Sequence, residues 1–184
     1  AGADGVELHG GNGYLIHQFL SSGINDRQDG YGGELAHRYR FASEIVAAIR
    51  RAVGRDFHLQ FKLGAVDHGD ALFPWEPRGN TLDDGVQVAR WLERDGVDCI
   101  HVSVGNMFPH PRNPAGAFPV EVAARTYDTV ASEGSHALRN LLIFRTPPFN
   151  AAFKWWWERN SGLPPGGDPE GLNLPYARAI KQAV

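Results

Sequence analysis

The sequence predicts an α/β fold, in which helices join the strands of a parallel sheet. Three strand–loop–helix units follow one another between Val6 and Ser103, and strands separated by long amphipathic helices run parallel. In addition, Asp4–His9 (DGVELH) is echoed by Asp95–His101 (DGVDCIH), each typical of a helix end, a tight turn and a strand start. Such repetition is expected of a (β/α)8 barrel and also of a doubly wound sheet, so both architectures stay open.

The first unit combines a short strand with two helices. Val6–His9 ends at a glycine-rich turn, which is typical of a strand, and Leu15–Leu20 is a brief apolar helix. After a polar loop, Glu34–Val53 has helical spacing, and Gly54 is a natural helix stop. The residues expected to share its apolar face are Leu35, Tyr39, Ile45, Val46, Ile49 and Val53, with Arg38, Arg40 and Arg50 outside it.

The second and third units repeat this arrangement. In Phe57–Ala65 polar residues alternate with apolar ones, which indicates a strand with one buried face. The pair Thr81 and Asp84 forms a capping pattern for a helix that runs to about Arg94, and Val97–Ser103 is the third strand.

Regular patterning ends after Gly105. The segments that follow are a proline-rich loop, a partly helical stretch, a strand or extended segment and a final helix: Asn106–Pro119, Val120–Arg139, Leu141–Phe144 and Leu174–Val184. We expect residues 106–172 to form a long loop and helical excursion that covers the active face or a subunit contact. The run Trp155–Trp157 within it is expected to serve in a core, an interface or a lid.

Composition and charge exclude several classes of protein. A net charge of -3 does not provide the basic surface that nucleic acids need, and the apolar runs are too short to cross a bilayer. The single cysteine, Cys99, forms no internal disulfide and fits a reducing, cytoplasmic compartment. Because Cys99 lies in an apolar run, we expect it to be a buried core residue. The histidines show no metal-ligand spacing, so no metal site is expected.

A glycine-rich turn, His9-Gly10-Gly11-Asn12-Gly13-Tyr14, follows the first strand. In a parallel barrel the carboxyl ends of the strands face the active site, so His9, Asn12 and Tyr14 can converge there. An imidazole N–H and an amide NH2 suit a substrate oxygen that gains negative charge, and a nearby phenol can supply a proton. A turn with a capping Asn12 and a packed Tyr14 explains the same residues without chemistry, and the residues alone leave both interpretations open.

The segment from His9 to Leu20 resembles the strand-four motif of the Old Yellow Enzyme family, His-x-x-Asn (or His)-Gly-Tyr-Leu followed by Gln-Phe-Leu. The match covers Ala1 to about Leu63 and resumes weakly at Gly96–Ser103 and Asn173–Ala177. Within the first block it includes Asn25, Arg27, Asp29, Tyr31–Gly33, Arg38, Arg40 and Phe41. The resemblance implies that residues 1–184 are part of one FMN-binding (β/α)8 barrel domain, from about strand four to the helix before strand seven.

The same resemblance implies a role for each candidate residue. His9 and Asn12 would hold the carbonyl or nitro oxygen of an electron-poor alkene, and Tyr14 would protonate its α carbon. FMN, reduced beforehand by NADH or NADPH, would deliver hydride to the β carbon. Lys62 stands where the family has Arg or Lys, and it would stabilise the anionic reduced flavin as a point charge. A solvated lysine at a strand end is the alternative for Lys62.

The implied activity is an NAD(P)H-driven reduction of activated C=C bonds in small α,β-unsaturated carbonyl-type substrates, with a homo-oligomer left open. A flavin dehydrogenase of the same barrel family acting on amines or dienoyl thioesters is one alternative, and a non-catalytic barrel remnant is another. We expect His17, Arg27, Asp29 and Tyr31 to be structural, whereas His101 and Ser103 end a strand and can approach flavin or substrate. Because the expected phosphate-binding strands lie beyond this sequence, the chain alone is expected to fold poorly and hold no FMN.

Overall fold

Eight helices and strands are present in the computed structural model, which describes residues 2–68, 79–105, 142, 146–160 and 170–184. They are β1 (Gly5–Gly10), α1 (Leu15–Leu20), α2 (Leu35–Val53), β2 (His58–Gly64), α3 (Leu82–Asp95), β3 (Cys99–Ser103), α4 (Phe149–Asn160) and α5 (Leu174–Ala183). The elements predicted up to Ser103 and the final helix are confirmed, with ends that differ by at most two residues. The predictions for Asn106–Pro119, Val120–Arg139 and Leu141–Phe144 lie outside the described residues, Leu142 apart.

The sheet is parallel, and its three strands follow chain order β1-β2-β3. Parallel neighbours need a crossover connection, and α2 and α3 provide the two crossovers. The pairing places His9 beside Lys62 and Lys62 beside His101, so these three residues form one row across the sheet. The predicted parallel α/β arrangement is therefore confirmed.

Helices cover one face of this sheet. Leu59 and Phe61 of β2 are fully buried in one cluster with Val46 of α2, Leu92 of α3 and Ile180 of α5. Burial of each such side chain contributes about 1.5–3 kcal/mol relative to exposure. The opposite face of the sheet carries the alternate residues of each strand, and we call it the open face. The strand residues of the candidate site described below lie on it.

Helix α3 begins with the predicted capping box. The Asp84 N–H donates to Thr81 Oγ1 at 3.3 Å, and the Thr81 N–H donates to Asp84 Oδ2 at 2.9 Å. The helix ends at Gly96, whose φ of 97° lies in the left-handed region that favours glycine. Both ends of this crossover are therefore specified locally by the sequence.

The expectation that Arg38 lies outside the apolar face of α2 is wrong. Its side chain is buried, and its guanidinium donates to the carbonyls of Leu20 and Gly33 and to Asn80 Oδ1. The position is one turn from Leu35, on the stripe that faces the core, and the loop carbonyls there need donors. Arg50 is also largely covered, because it donates to the carbonyls of Gly96 and Phe57.

The expectation that Cys99 is a buried core residue is also wrong, since its side chain is exposed. Successive side chains of a strand point to opposite faces, and Ile100 and Val102 take the helix-covered face of β3. Cys99 therefore lies on the open face, paired with Gln60 of β2.

The chain forms two compact units, Ala1–Phe108 with Gly171–Val184, and Pro109–Glu170. In the second unit α4 carries Trp155, which is 59% exposed and has the Arg159 Cζ 4.8 Å from its ring centroid. Exposure of this kind does not fit a core role for Trp155 within its unit. Among the described segments, no helix has the length and apolar character that crossing a bilayer requires.

Candidate active site

The carboxyl ends of the three strands bring the predicted site residues to one edge of the sheet. His9, Lys62 and His101 are neighbours across β1, β2 and β3. On β2 the residues before and after Lys62, Phe61 and Leu63, are buried on the helix-covered face. Since strand side chains alternate, Lys62 lies on the open face with His9 and His101.

The His9 ring is arranged as a neutral hydrogen-bond donor. The Gly11 N–H donates to His9 Nδ1 at 3.3 Å, which leaves the proton on Nε2. Burial lowers the pKa of His9, and the positive charge of Lys62 lowers it further. Near neutral pH the ring therefore offers an Nε2–H rather than a full positive charge.

The turn after His9 needs an Asn-Gly pair. The Tyr14 N–H donates to the Gly11 carbonyl at 3.3 Å, and the two residues between them have φ of 53° (Asn12) and 80° (Gly13). Asparagine and glycine tolerate this left-handed conformation better than other residues do, so the turn alone explains part of the motif.

The side chain of Asn12, however, does not cap the turn. Its Oδ1 accepts a hydrogen bond from Ser103 Oγ at 3.2 Å, and its Nδ2 donates to the Val104 carbonyl at 3.4 Å. These contacts fix which end of the amide is the NH2 group. The Nδ2 carries two hydrogens and the bond to Val104 uses one, so the second is available to a bound oxygen.

Tyr14 stands at the start of α1 and is not packed into the core. Its side chain is 63% exposed, and its ring centroid lies 4.6 Å from that of His9 at an angle of 59°. Within the part of the chain that the structure describes, its hydroxyl makes no hydrogen bond. The turn thus carries the Tyr14 phenol beside the His9 imidazole, and it places the Asn12 amide against the end of β3.

A second pair of polar residues, Glu7 and Gln60, lies two positions earlier on β1 and β2. Glu7 of β1 accepts hydrogen bonds from Gln60 Nε2 and, at 3.0 Å, from His101 Nδ1. The bond from Gln60 lowers the pKa of Glu7, and His101 and Lys62 add to this effect against partial burial. His101, which the sequence left as a candidate for the flavin or substrate, is therefore tied to a carboxylate.

Lys62 and its surroundings fit an anionic ring such as reduced flavin. Among residues 2–68 and 79–105, no carboxylate lies within ion-pair distance of Lys62, although Glu7 is near enough for the Lys62 charge to lower its pKa. The same charge acts on His9, where it lowers the pKa. A cation beside neutral N–H donors is a donor set that attracts an anion.

Sequence reasoning did not single out Glu7, Gln60 or Asp67. The alternation of polar residues in β2 was a signal for Gln60, since it lies on the same face as Lys62. Asp67 lies just after β2, and its partner His17 was expected to be structural; both are fully buried. Ser103, which the sequence left as a candidate for the flavin or substrate, donates a hydrogen bond to Asn12.

Comparison with known proteins decides the family. Residues 1–140 match the NADH:flavin oxidoreductase / NADH oxidase family over most of the chain. The chain belongs to this family. Members of the NADH:flavin oxidoreductase / NADH oxidase family are FMN-binding enzymes with an α/β barrel, which agrees with the resemblance found in the sequence.

Several relatives within the NADH:flavin oxidoreductase / NADH oxidase family are similar to this chain. It is 45% identical over 102 residues to an NADH oxidase of Thermoanaerobacter brockii, covering 55% of this chain and 15% of that protein. It is 38% identical over 111 residues to an NADPH dehydrogenase of Halalkalibacterium halodurans, covering 60% of this chain and 30% of that protein. It is 41% identical over 109 residues to an NADPH dehydrogenase of Bacillus cytotoxicus, covering 59% and 29%.

A solved structure is also similar. It is a 2-naphthoyl-CoA reductase in complex with 2-naphthoyl-CoA, at a TM-score of 0.50 and 31% identity, covering 71% of this chain and 19% of that one. The chain thus spans less than a third of the length of each of these relatives.

Proposed function

We propose that the full-length protein containing this chain is an FMN-dependent, NAD(P)H-driven reductase of activated C=C bonds in α,β-unsaturated carbonyl-type substrates. The observation that carries the proposal is the joint presentation of the His9 ring, the Asn12 amide and the Tyr14 phenol at the carboxyl edge of a parallel sheet. Membership of the flavin oxidoreductase family and the NADPH dehydrogenase relatives support it.

His9 and Asn12 hold the substrate oxygen in this proposal. The Nε2–H of His9 and the second Nδ2–H of Asn12 are neutral donors, and they strengthen their bonds as negative charge develops on that oxygen. Ser103 positions Asn12, because its hydroxyl fixes the amide orientation. Removal of one such donor costs about 10²–10³-fold in rate in enzymes that stabilise an oxyanion.

Tyr14 and Lys62 serve the other two tasks. Tyr14 donates the proton to the α carbon, since its exposed phenol lies beside the oxygen-binding residues. Lys62 would hold FMN through its positive charge, and FMN would supply hydride to the β carbon when bound. Glu7 accepts hydrogen bonds from Gln60 and His101, and it thereby orients both side chains on the open face of the sheet.

The replacement Tyr14→Phe in the full-length protein tests the proposal. We expect NAD(P)H to reduce the flavin within about twofold of the wild-type rate, while reoxidation by a cyclic enone slows by about 10²–10⁴-fold. Anaerobic stopped-flow measurement of the flavin absorbance follows both half-reactions separately.

Tyr31→Phe is the matched control, because the Tyr31 hydroxyl donates to Glu44 at 3.0 Å on an exposed surface away from the site. It should leave both half-reactions unchanged. Wild-type enone reoxidation in Tyr14→Phe would show that Tyr14 is not the proton donor.

A second candidate substrate class is an unsaturated acyl thioester. The similar solved structure is a reductase bound to an aromatic CoA thioester, and a thioester carbonyl can occupy the same two donors. Comparison of kcat/KM for an enone and for an α,β-unsaturated acyl-CoA decides between the classes. A full-length protein that binds no FMN and reduces neither substrate would instead indicate a non-catalytic barrel remnant.

A further inference from the structure

A buried polar network lies beneath the glycine turn of the site. His17 of α1 and Asp67 after β2 are both fully buried, and His17 Nε2 is 2.8 Å from Asp67 Oδ1. The other carboxylate oxygen accepts hydrogen bonds from Ser21 Oγ at 2.5 Å and from the Asn80 N–H at 2.8 Å. Burial of a carboxylate is costly unless it is paired and hydrogen-bonded, and here both oxygens are satisfied.

The hydrogen bonds of this network set the tautomer of His17. The Gly13 N–H donates to His17 Nδ1 at 2.9 Å, so Nδ1 accepts and the proton resides on Nε2. Nε2–H then donates to Asp67, which can only accept. Asp67 thus determines which ring nitrogen is free to bind the turn.

Gly13 is held at both of its polar groups. His17 accepts from its N–H, and Gln18 Nε2 donates to its carbonyl at 2.8 Å. Gly13 lies between Asn12 and Tyr14 in the turn and has a φ of 80°. A change in the conformation of Gly13 therefore moves both neighbours.

We propose that Asp67 and His17 are positioning residues that hold Asn12 and Tyr14 in their reactive arrangement through the Gly13 N–H. The inference rests on the function proposed above, because it assigns these residues to the same site. Neither side chain contacts the reacting atoms; Asp67 acts through His17, and His17 acts through the backbone of the turn.

The isosteric replacement Asp67→Asn tests the tautomer. Its Oδ1 can still accept from Ser21 and Asn80, but its NH2 then faces His17 Nε2. Nε2 must accept, the proton moves to Nδ1, and the ring no longer accepts from Gly13. A wrong tautomer in an intact geometry is known to impair catalysis by a histidine. We expect enone reoxidation of the full-length protein to slow by about 10–100-fold, the cost of a misplacement near 1 Å.

A double-mutant cycle with Tyr14→Phe separates positioning from mere loss of stability. If Asp67 places both Tyr14 and Asn12, then the loss caused by Asp67→Asn is smaller once Tyr14 is already Phe, and the loss that remains is the part that acts through Asn12. Full additivity of the two losses would overturn the proposal.

Replacement of His17 supplies a second, independent pair of variants. His17→Asn keeps an acceptor near the position of Nδ1 and should retain most of the enone rate, whereas His17→Leu has no acceptor and should match Asp67→Asn. Tyr39→Phe is the stability control, because it removes a partly buried hydrogen bond to Asp95, 2.9 Å long, away from the turn. Equal losses in His17→Asn and His17→Leu, or in Tyr39→Phe, would contradict positioning through Gly13.

Hydrogen exchange of the Gly13 amide gives a readout that does not depend on activity. It should be slow in the wild type and His17→Asn and faster in Asp67→Asn and His17→Leu, as measured by fragment-resolved mass spectrometry. Unchanged protection of the Gly13 amide in both Asp67→Asn and His17→Leu would overturn the inference. If Tyr14→Phe alone proves silent, the assignment of Tyr14 as proton donor fails, while the exchange data still decide whether Asp67 and His17 hold the turn.

Discussion

His9 and Lys62 occupy paired positions on β1 and β2, and the positive charge of Lys62 disfavours a second positive charge on the His9 ring. Burial and the Lys62 cation both lower the pKa of His9, whereas Glu7 raises it. Burial, which is the largest of these causes, and the two charged neighbours on the sheet therefore act together on the pKa of His9.

Lys62→Met in the full-length protein should raise the pKa of His9, because a positive neighbour disfavours the charged ring. A histidine whose pKa is lowered by folding stays neutral at pH values where an unfolded one is charged. Removal of Lys62 narrows the pH range in which the ring is neutral in the folded protein but charged in the unfolded chain. The His9 ring therefore takes up its proton at higher pH. Titration of the His9 ring nitrogens by NMR measures the shift.

Glu7→Gln is the opposing control and should lower the pKa of His9, since the carboxylate favours the charged ring. No shift in either variant would show that burial, and not the charges of Lys62 and Glu7, determines the pKa of His9.

Single residues of the site were predictable where they are close in the chain. His9, Asn12 and Tyr14 lie within six positions, and the glycines between them indicate a turn. Ser103 and Asp67 could not be assigned to this site from sequence, because they reach Asn12 and His17 across 91 and 50 positions. Arg38 was misplaced because its charge suggested solvent, whereas the carbonyls that it satisfies are visible only in the fold.

Among the helices and strands, α3 shows how closely a local pattern can specify an element. The capping box of Thr81 and Asp84 and the left-handed Gly96 mark both ends, and all three were readable from sequence. The face of the sheet on which each strand residue lies was harder to predict. Cys99 was expected in the core, but alternate residues of β3 face opposite sides of the sheet, and Cys99 is exposed.

Thr81→Ala should lower the free energy of unfolding of the full-length protein by about 1 kcal/mol, because the Asp84 N–H loses its acceptor. Urea denaturation measures this change. Thr81→Ser keeps the side-chain oxygen and should stay within about 0.5 kcal/mol of the wild type. Equal stability of Thr81→Ala and the wild type would mean that the cap does not contribute.

At the scale of the whole molecule, the described sheet has three strands, with β1 and β3 at its edges. The parallel order and the helix-covered face were predictable from the alternation of patterns along the chain. The barrel follows from family membership, and its expected span, strand four to the helix before strand seven, stays a prediction. Neither periodicity nor three paired strands can number the strands of a closed barrel.

The 184-residue chain purified by itself should bind no stoichiometric FMN. Lys62 offers one cation to the flavin ring, and the phosphate-binding loops of such barrels are expected on strands seven and eight. The visible absorbance of the purified chain, with the full-length protein as control, measures occupancy. A flavin signal near one per chain would contradict this expectation.

The hydrogen bonds of Asn12 with Ser103 and Val104 also imply an order in which parts of the site form during synthesis and folding. A ribosome adds about 5–20 residues per second, so roughly 5–20 s separate the synthesis of the turn from that of its partner strand. Contacts of such long sequence separation also form late, since chain closure must precede them. Asn12 therefore leaves the ribosome long before β3 exists, and its amide acquires a fixed orientation only when β3 joins the sheet.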